Sequence, residues 1–362
     1  MPLINYIRKL DWGIIIPACL LVCFGLAGIW STCVAKDNFS NFYKQLIFFA
    51  IGFLVMIAVS FFDYRTLRNN SYFILALYII CLALLAGLHF FAPEIRGTRG
   101  WYKVGLLSLD PIEPTKIILI ILLAKYFSMR HVEMYKIRHI IFSGLYVLIP
   151  AFLIFIKPDI GGTSVLVLIW LGILLISGIK LKHFLLLSLC FILVAGLAWG
   201  FLLKDYQKER VTSFLFPYDY LGASWSQNQT KISIGSGQIF GQGLAKGSQV
   251  QYGFLPEPHT DFIFSVISQE WGIVGVLILF TTYGFLVWRV LKIAIQSQSN
   301  FPRLFATGFA VVLIAQFFVN IGMNLSLLPV VGLYLPLISY GGSGLIGNFI
   351  GLGVLQSIKL RR

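Results

Sequence analysis

Four groups of side chains have the types and spacing to do chemistry. Glu113 and Lys116 stand three residues apart, which on a helix sets a carboxylate and an ammonium on one face. Lys157 and Asp159 flank Pro158 between two apolar runs. Asp261 follows His259 and Thr260 and precedes another apolar run, at the predicted mouth of a helix. Lys204, Lys208, Arg210, Lys231 and Lys246 crowd one long polar segment and could hold an anionic headgroup or a phosphate. Each group also has a plainer reading. The first two could be structural ion pairs, Thr260 or Asp261 an ordinary helix N-cap, and the cations a solvated face.

The elements that must position these residues are membrane helices. Of 362 residues, 58% are hydrophobic and only 12% are charged, about half the charged share of a soluble domain. That composition also excludes a disordered chain. The five cysteines lie in apolar runs without a CxxC pair, so they read as small buried hydrophobes rather than metal ligands or a disulfide framework. Ten spans are expected, at about 12–34, 44–62, 71–92, 113–128, 140–157, 160–179, 183–203, 272–291, 304–322 and 333–358. The first reads as a retained helix rather than a signal peptide. The chain reads as one all-α membrane domain, residues 1–362.

With the N-terminus inside, 16 of the 28 Lys and Arg fall on inner segments; seven fall on short outer ones once the five of the long loop are set aside. This asymmetry places both termini in the cytoplasm. The net charge of +14 then belongs largely to loops facing an anionic leaflet. The cations form no single stripe, so no nucleic-acid partner is expected.

Two outer segments exceed a simple turn. Residues 93–112 contain Arg96, Arg99, Trp101, Lys103 and Asp110. Residues 204–271 are expected to hold a short helix around 226–236 and then glycine turns at Gly235, Gly237, Gly241, Gly243 and Gly247, a run that lacks the Gly-Lys-Ser/Thr ending of a P-loop. Glu270 and Lys125, near span ends, are expected to snorkel to water. Ser339-Tyr-Gly-Gly-Ser343 interrupts the tenth span, and Gly347 with Gly351 suits close internal helix packing.

These residues resemble the SEDS family (shape, elongation, division and sporulation). The resemblance rests on Gly253-Phe-Leu-Pro-Glu-Pro-His-Thr-Asp-Phe-Ile-Phe264, Ile234-Gly-Ser-Gly237, Phe240-Gly-Gln-Gly-Leu244 and Tyr206-Gln-Lys-Glu-Arg210. It also rests on Asn320-Ile-Gly-Met-Asn324 and Leu335-Pro-Leu-Ile-Ser-Tyr-Gly-Gly-Ser343. The Gly-Phe-Leu-Pro-Glu form, the short N-terminus and Gly100-Trp-Tyr-Lys-Val-Gly105 are closer to its elongation branch than to its division branch. The resemblance implies ten transmembrane helices in the bacterial cytoplasmic membrane and a peptidoglycan glycosyltransferase that polymerises lipid II at the outer face. It implies a class B penicillin-binding protein as partner, with other elongation-complex proteins, and assigns the essential aspartate to Asp261. One motif departs from the family: Asp110-Pro-Ile-Glu113-Pro-Thr-Lys116 stands where Gln-Pro-Ser-Glu is usual. Glu and Lys are kept, and Pro114 could alter the helix start.

Joining an α-linked donor in a β bond requires one inverting displacement. The acceptor hydroxyl must lose a proton, which makes Asp261 the candidate general base. The departing lipid pyrophosphate needs cations: Lys116, Arg99, Arg210 and Lys231 are candidates, and a divalent cation, Mg2+ or Mn2+, would serve the same end. Trp101 could stack on a sugar or anchor at the interface, His259 could orient Asp261, and Glu257 and Glu113 complete the substrate-binding candidates. A groove should lead the prenyl tail into lipid. Two rivals are a precursor flippase and a noncatalytic scaffold for a penicillin-binding protein.

Overall fold

The computed structural model describes residues 6, 8–93, 100–105, 107–129, 137–157, 159–201, 203, 205–216 and 225–361. Long helices dominate: α1 (Trp12–Lys36), α2 (Ser40–Phe61), the short α3 (Tyr64–Asn69), α4 (Ser71–Phe91), α5 (Ile112–Ser128), α6 (Ile137–Phe155), α7 (Ile160–Ile176) and α8 (Leu181–Phe201). They continue with α9 (Asp205–Leu215), α10 (Trp225–Ser236), the single turn α11 (Ser248–Gln251), α12 (Ile263–Gln296), α13 (Asn300–Asn324) and α14 (Gly342–Leu360). A three-residue antiparallel hairpin, β1 (Tyr102–Val104) with β2 (Leu107–Leu109), precedes α5. Eight of these helices are long and apolar enough to cross a membrane. The shorter α7 and the charged α5 complete the ten expected spans, and the protein is an all-α, multi-pass membrane protein.

Capping marks where several helices begin. Asp11 accepts from Gly13 N at the start of α1, Asn70 from Phe73 N at α4, and Asp159 from Gly162 N at 2.7 Å at α7. Pro114 sits in the first turn of α5 without breaking it, because first-turn amides have no intrahelical partner to lose. Lipid offers no hydrophobic drive between helices, so close approach depends on small residues. Gly52 of α2 lies under the Phe349 ring of α14, and Gly351 of α14 under the Phe309 ring of α13. Gly347 meets Glu113 of α5, so the two α14 glycines pack internally, as expected. α13 is the most enclosed of the long apolar helices except α14, and among the described residues of α8 none in its apolar window is buried.

The eighth and tenth spans differ from expectation. α12 starts at Ile263 rather than 272 and breaks at Gly272, whose φ of +64 only glycine adopts freely. The glycine segment 237–247 lies backbone-to-backbone on this break. Gln242 N and Gly243 N donate to the carbonyls of Gln269 and Glu270 at 2.9 and 3.0 Å, and Ile273 N and Val274 N donate to Gln238 O and Ile239 O. A methyl group at Gly237 or Gly241 would lie about 2 Å from a carbonyl of α12. The glycines are therefore turns, as read from sequence, and also the groups that satisfy a broken helix. The tenth helix starts only at Gly342; residues 333–335 are irregular chain and 336–340 turn and bend before it.

Two snorkelling expectations fail. Glu270 is 2% exposed and accepts a hydrogen bond from Ser31 Oγ, because the break at Gly272 turns it inward against the glycine segment. Lys125 is 7% exposed, and its Nζ has no hydrogen-bond partner. At the end of the bundle carrying the α1 N-terminus, Asp11 pairs with Arg289, and Gln356 bonds both Asp11 N and Asp11 O. That contact ties α1, α12 and α14 together.

Candidate active site

Following the helices from the N-terminus places Glu113, Lys116, Lys157, Asp159, Arg210 and Asp261 at one end of the bundle, opposite the Asp11–Arg289 pair. The site is recessed. Glu113 sits level with Gly347, five residues into α14, or about 8 Å below its first residue. There Lys116 Nζ lies 2.7 Å from Glu113 Oε1, and both side chains are almost wholly buried. Tyr334 joins the pair: its hydroxyl donates to Glu113 Oε2, and Lys116 Nζ donates to it at 3.4 Å while lying 5.1 Å from its ring centre.

Asp110, Lys157 and Asp159 add charge beside this pair. Burial, then the Glu113 charge, raises the Asp110 carboxyl from 3.8 to about 7. Burial also raises Asp159, which its bond from Gly162 N partly offsets. Lys157 is 4% exposed, and its Nζ has no hydrogen-bond partner. The unusual Asp110 has a local role: Oδ1 accepts from Ile112 N at 2.9 Å, and its own N–H donates to Ser343 Oγ at 2.8 Å, tying the hairpin to α14.

Asp261 stands at the mouth of α12 but is not its cap. The N-cap is Phe262, and no side-chain bond caps the helix. The Asp261 backbone carbonyl instead accepts from Asn320 Nδ2 and Asn324 Nδ2, both at 3.0 Å. Asn320 also donates to Leu333 O at 2.7 Å, and Ser265 Oγ donates to Asn324 Oδ1 at 2.6 Å. The two asparagines, one turn apart on α13, thus fix Asp261 relative to the strap 325–341. A methyl group at Gly332, where φ is +72, would lie 3.8 Å from Asp261 Oδ2, so the carboxylate faces the strap.

The strap joins the parts of the site. Arg210 Nη1 donates to Val330 O at 3.4 Å, Gly332 faces Asp261, and Tyr334 holds Glu113 and Lys116. Ser339 Oγ donates to Thr260 O, and Tyr340 N donates to His259 O at 2.8 Å. His259 Nε2 lies 3.9 Å from Glu257 Oε2, and its ring packs edge-on against Tyr340. The structure therefore brings Glu113, Lys116, Arg210, Glu257, His259 and Asp261 around one strap.

The other candidates stand apart or outside the described residues. Lys231 is exposed on α10, and Trp101 is 39% exposed at the start of the hairpin. Arg99 lies outside the described residues. Sequence reasoning did not place Asn320, Asn324 or Tyr334 in the site, although all three are polar residues inside or between apolar spans. Among the described residues, no group of three or more His, Cys, Asp or Glu could hold a metal ion. These side chains do not by themselves make a metal site.

Fold and site together define a polytopic membrane protein with a charged recess at one end of its helix bundle. The chain belongs to the cell cycle protein family of FtsW, RodA and SpoVE, which matches residues 9–362. It is 35% identical over 346 residues to peptidoglycan glycosyltransferase MrdB of Escherichia coli (strain K12), covering 94% of this chain and 91% of that one. Its fold superposes with a TM-score of 0.82, at 31% identity and 97% coverage of both chains, on a chain from a structure describing coordination of polymerization and crosslinking by a peptidoglycan synthase complex. It also superposes on the Rod shape determining protein RodA of Thermus thermophilus, with a TM-score of 0.70, 28% identity and coverage of 97% and 96%.

Proposed function

We propose that this chain is a peptidoglycan glycosyltransferase that polymerises lipid II during cell elongation. Full-length similarity to MrdB and RodA supports the activity. The observation that carries the mechanism is a carboxylate, Asp261, held by its own backbone carbonyl and facing the strap that anchors Lys116. In this reading Asp261 accepts the proton of the acceptor hydroxyl. The hydroxyl oxygen bonds to the donor's anomeric carbon from the side opposite the pyrophosphate. The carbon–oxygen bond to pyrophosphate breaks, and its electron pair leaves with the undecaprenyl carrier. Lys116 and Arg210 offset the developing charge. Glu113 and Tyr334 hold the Lys116 ammonium in a recess from which bulk water is largely excluded, where a fixed cation acts more strongly than in water.

The excess of Lys and Arg on alternate loops supports cytoplasmic termini and an outward-facing recess. The similarity to a peptidoglycan synthase complex supports a class B penicillin-binding protein as the partner that crosslinks the product. A flippase would place its binding site near the midplane between repeats. The charged groups here gather at one end of the bundle, which favours a polymerase. Purified chain, mixed with such a partner and lipid II, is expected to make glycan chains. Lipid movement without polymer would support a flippase, and neither activity a scaffold.

A further inference from the structure

At the end of the bundle opposite the recess, a cavity of about 590 Å3 opens between α3, α4, α5 and α13. Arg68 and Lys125 line it, with Ser71, Ser128, Ser299 and Asn300, and no carboxylate is among its described lining residues. Lys125 is 7% exposed, and its Nζ is buried without a hydrogen-bond partner. A buried ammonium is costly at membrane depth unless an anion or water meets it. The 25-residue α13 begins at the same cavity, and its N-cap residue Ser299 makes no side-chain capping bond. Of the first three α13 residues, Asn300 and Phe301 carry backbone N–H groups and Pro302 has none; those two amides and the helix dipole favour an anion there.

An apolar groove of about 440 Å3 adjoins this cavity. Its walls are α2, α4, α5 and α14, and it runs from Pro114 to Tyr64, Leu67 and Phe73. The two spaces share their framework. Ile121 of the groove and Lys125 of the cavity are one turn apart on α5, and Tyr64 of the groove stacks on Phe301 of the cavity at 6.3 Å. The groove runs from Pro114, level with the upper part of α14, down to Tyr64 and Leu67 beside the cavity.

We propose that this pair of spaces binds one anionic phospholipid of the cytoplasmic leaflet. Its phosphate meets Lys125, Arg68 and the α13 N-terminus, and one acyl chain lies along the lower groove. Phosphate is the shared chemistry of a lipid headgroup and a soluble anion; the adjoining groove selects the lipid. The cavity that takes the phosphate lies at the opposite end of the bundle from the catalytic recess, so its test does not depend on the polymerase reading.

The test measures lipid binding by the purified full-length protein, using native mass spectrometry and thermal unfolding. The probes are phosphatidylglycerol, phosphatidylcholine and inorganic phosphate. Wild type is expected to retain phosphatidylglycerol over phosphatidylcholine and to unfold at higher temperature only with the former. Lys125→Met, an apolar replacement for a buried ammonium, is expected to fold and to bind phosphatidylglycerol about tenfold more weakly or worse. Ile121→Trp, which fills the groove, should weaken lipid binding as well. Equal retention of both lipids, or undiminished binding by Lys125→Met, overturns the site. Protection by inorganic phosphate equal to that by phosphatidylglycerol overturns the assignment to lipid.

Discussion

Asp261 and Lys116 divide the work of the proposed site between accepting a proton and offsetting negative charge. The two residues are held differently. Lys116 lies in a buried pair with Glu113, under Tyr334. Lys116→Ala leaves Glu113 buried without its cation, and polymerisation is expected to fall on the order of a hundredfold. Membrane abundance should fall much less; equal losses in immunoblot and glycan assay would make the pair structural. The raised carboxyl of Asp110 has a separate consequence. A folded-state pKa of about 7 against an ordinary 3.8 means the folded protein binds this proton more tightly. That contribution to stability is complete below the ordinary value and is lost as pH rises through about 7. Thermal unfolding followed from about pH 4 to 8 should show this decline, and Asp110→Asn should flatten it. Asp159, raised in the same direction, leaves a residual slope. An unchanged slope in the variant would show that Asp110 titrates normally.

Elements explain why some of these residues were legible in sequence and others were not. The Glu113–Lys116 pair follows from helical spacing alone. Asp261 could be seen beside a helix start, but spacing could not separate a cap from a catalyst. The structure removes the cap reading, since α12 begins after Phe262 and Asp261 is held through its carbonyl. Asn320, Asn324 and Tyr334 were not legible as site residues, because their roles depend on how the strap folds back over α12 and α13. Asn324→Ala removes a donor from the Asp261 carbonyl and an acceptor from Ser265, a loss of about 1–3 kcal/mol. It is expected to lower the polymerisation rate through misplacement of Asp261, with only a modest drop in unfolding temperature. A normal rate would remove the asparagine clamp from the account. The glycine run was legible as turns but not as the partner of a broken helix. Gly241→Ala places a methyl group 2.1 Å from Glu270 O at a φ of +80, and about 1–3 kcal/mol of overpacking is expected with added backbone strain. Reduced membrane abundance and a lower unfolding temperature would follow. Normal levels of this variant would show that the segment 237–247 is not packed so closely on α12.

Across the whole molecule, hydropathy located the apolar helices and their order, because lipid admits few alternatives to closed helices. Hydropathy could not show that α5 starts below the rim, or that α12 breaks at Gly272, since both depend on which helices become neighbours. These two departures from straight spans make the recess: one sinks Glu113 and Lys116, and the other lets the glycine segment close over the α12 entrance. Their charged groups gather at the end of the bundle where, in the proposed orientation, lipid II and the growing strand meet. The most direct measurement is glycan polymerisation from lipid II by the purified chain with the proposed penicillin-binding partner, comparing wild type with Asp261→Asn at matched abundance and unfolding temperature. Strands are expected from the wild type and none from the variant. Strands of ordinary length and rate from Asp261→Asn would contradict it.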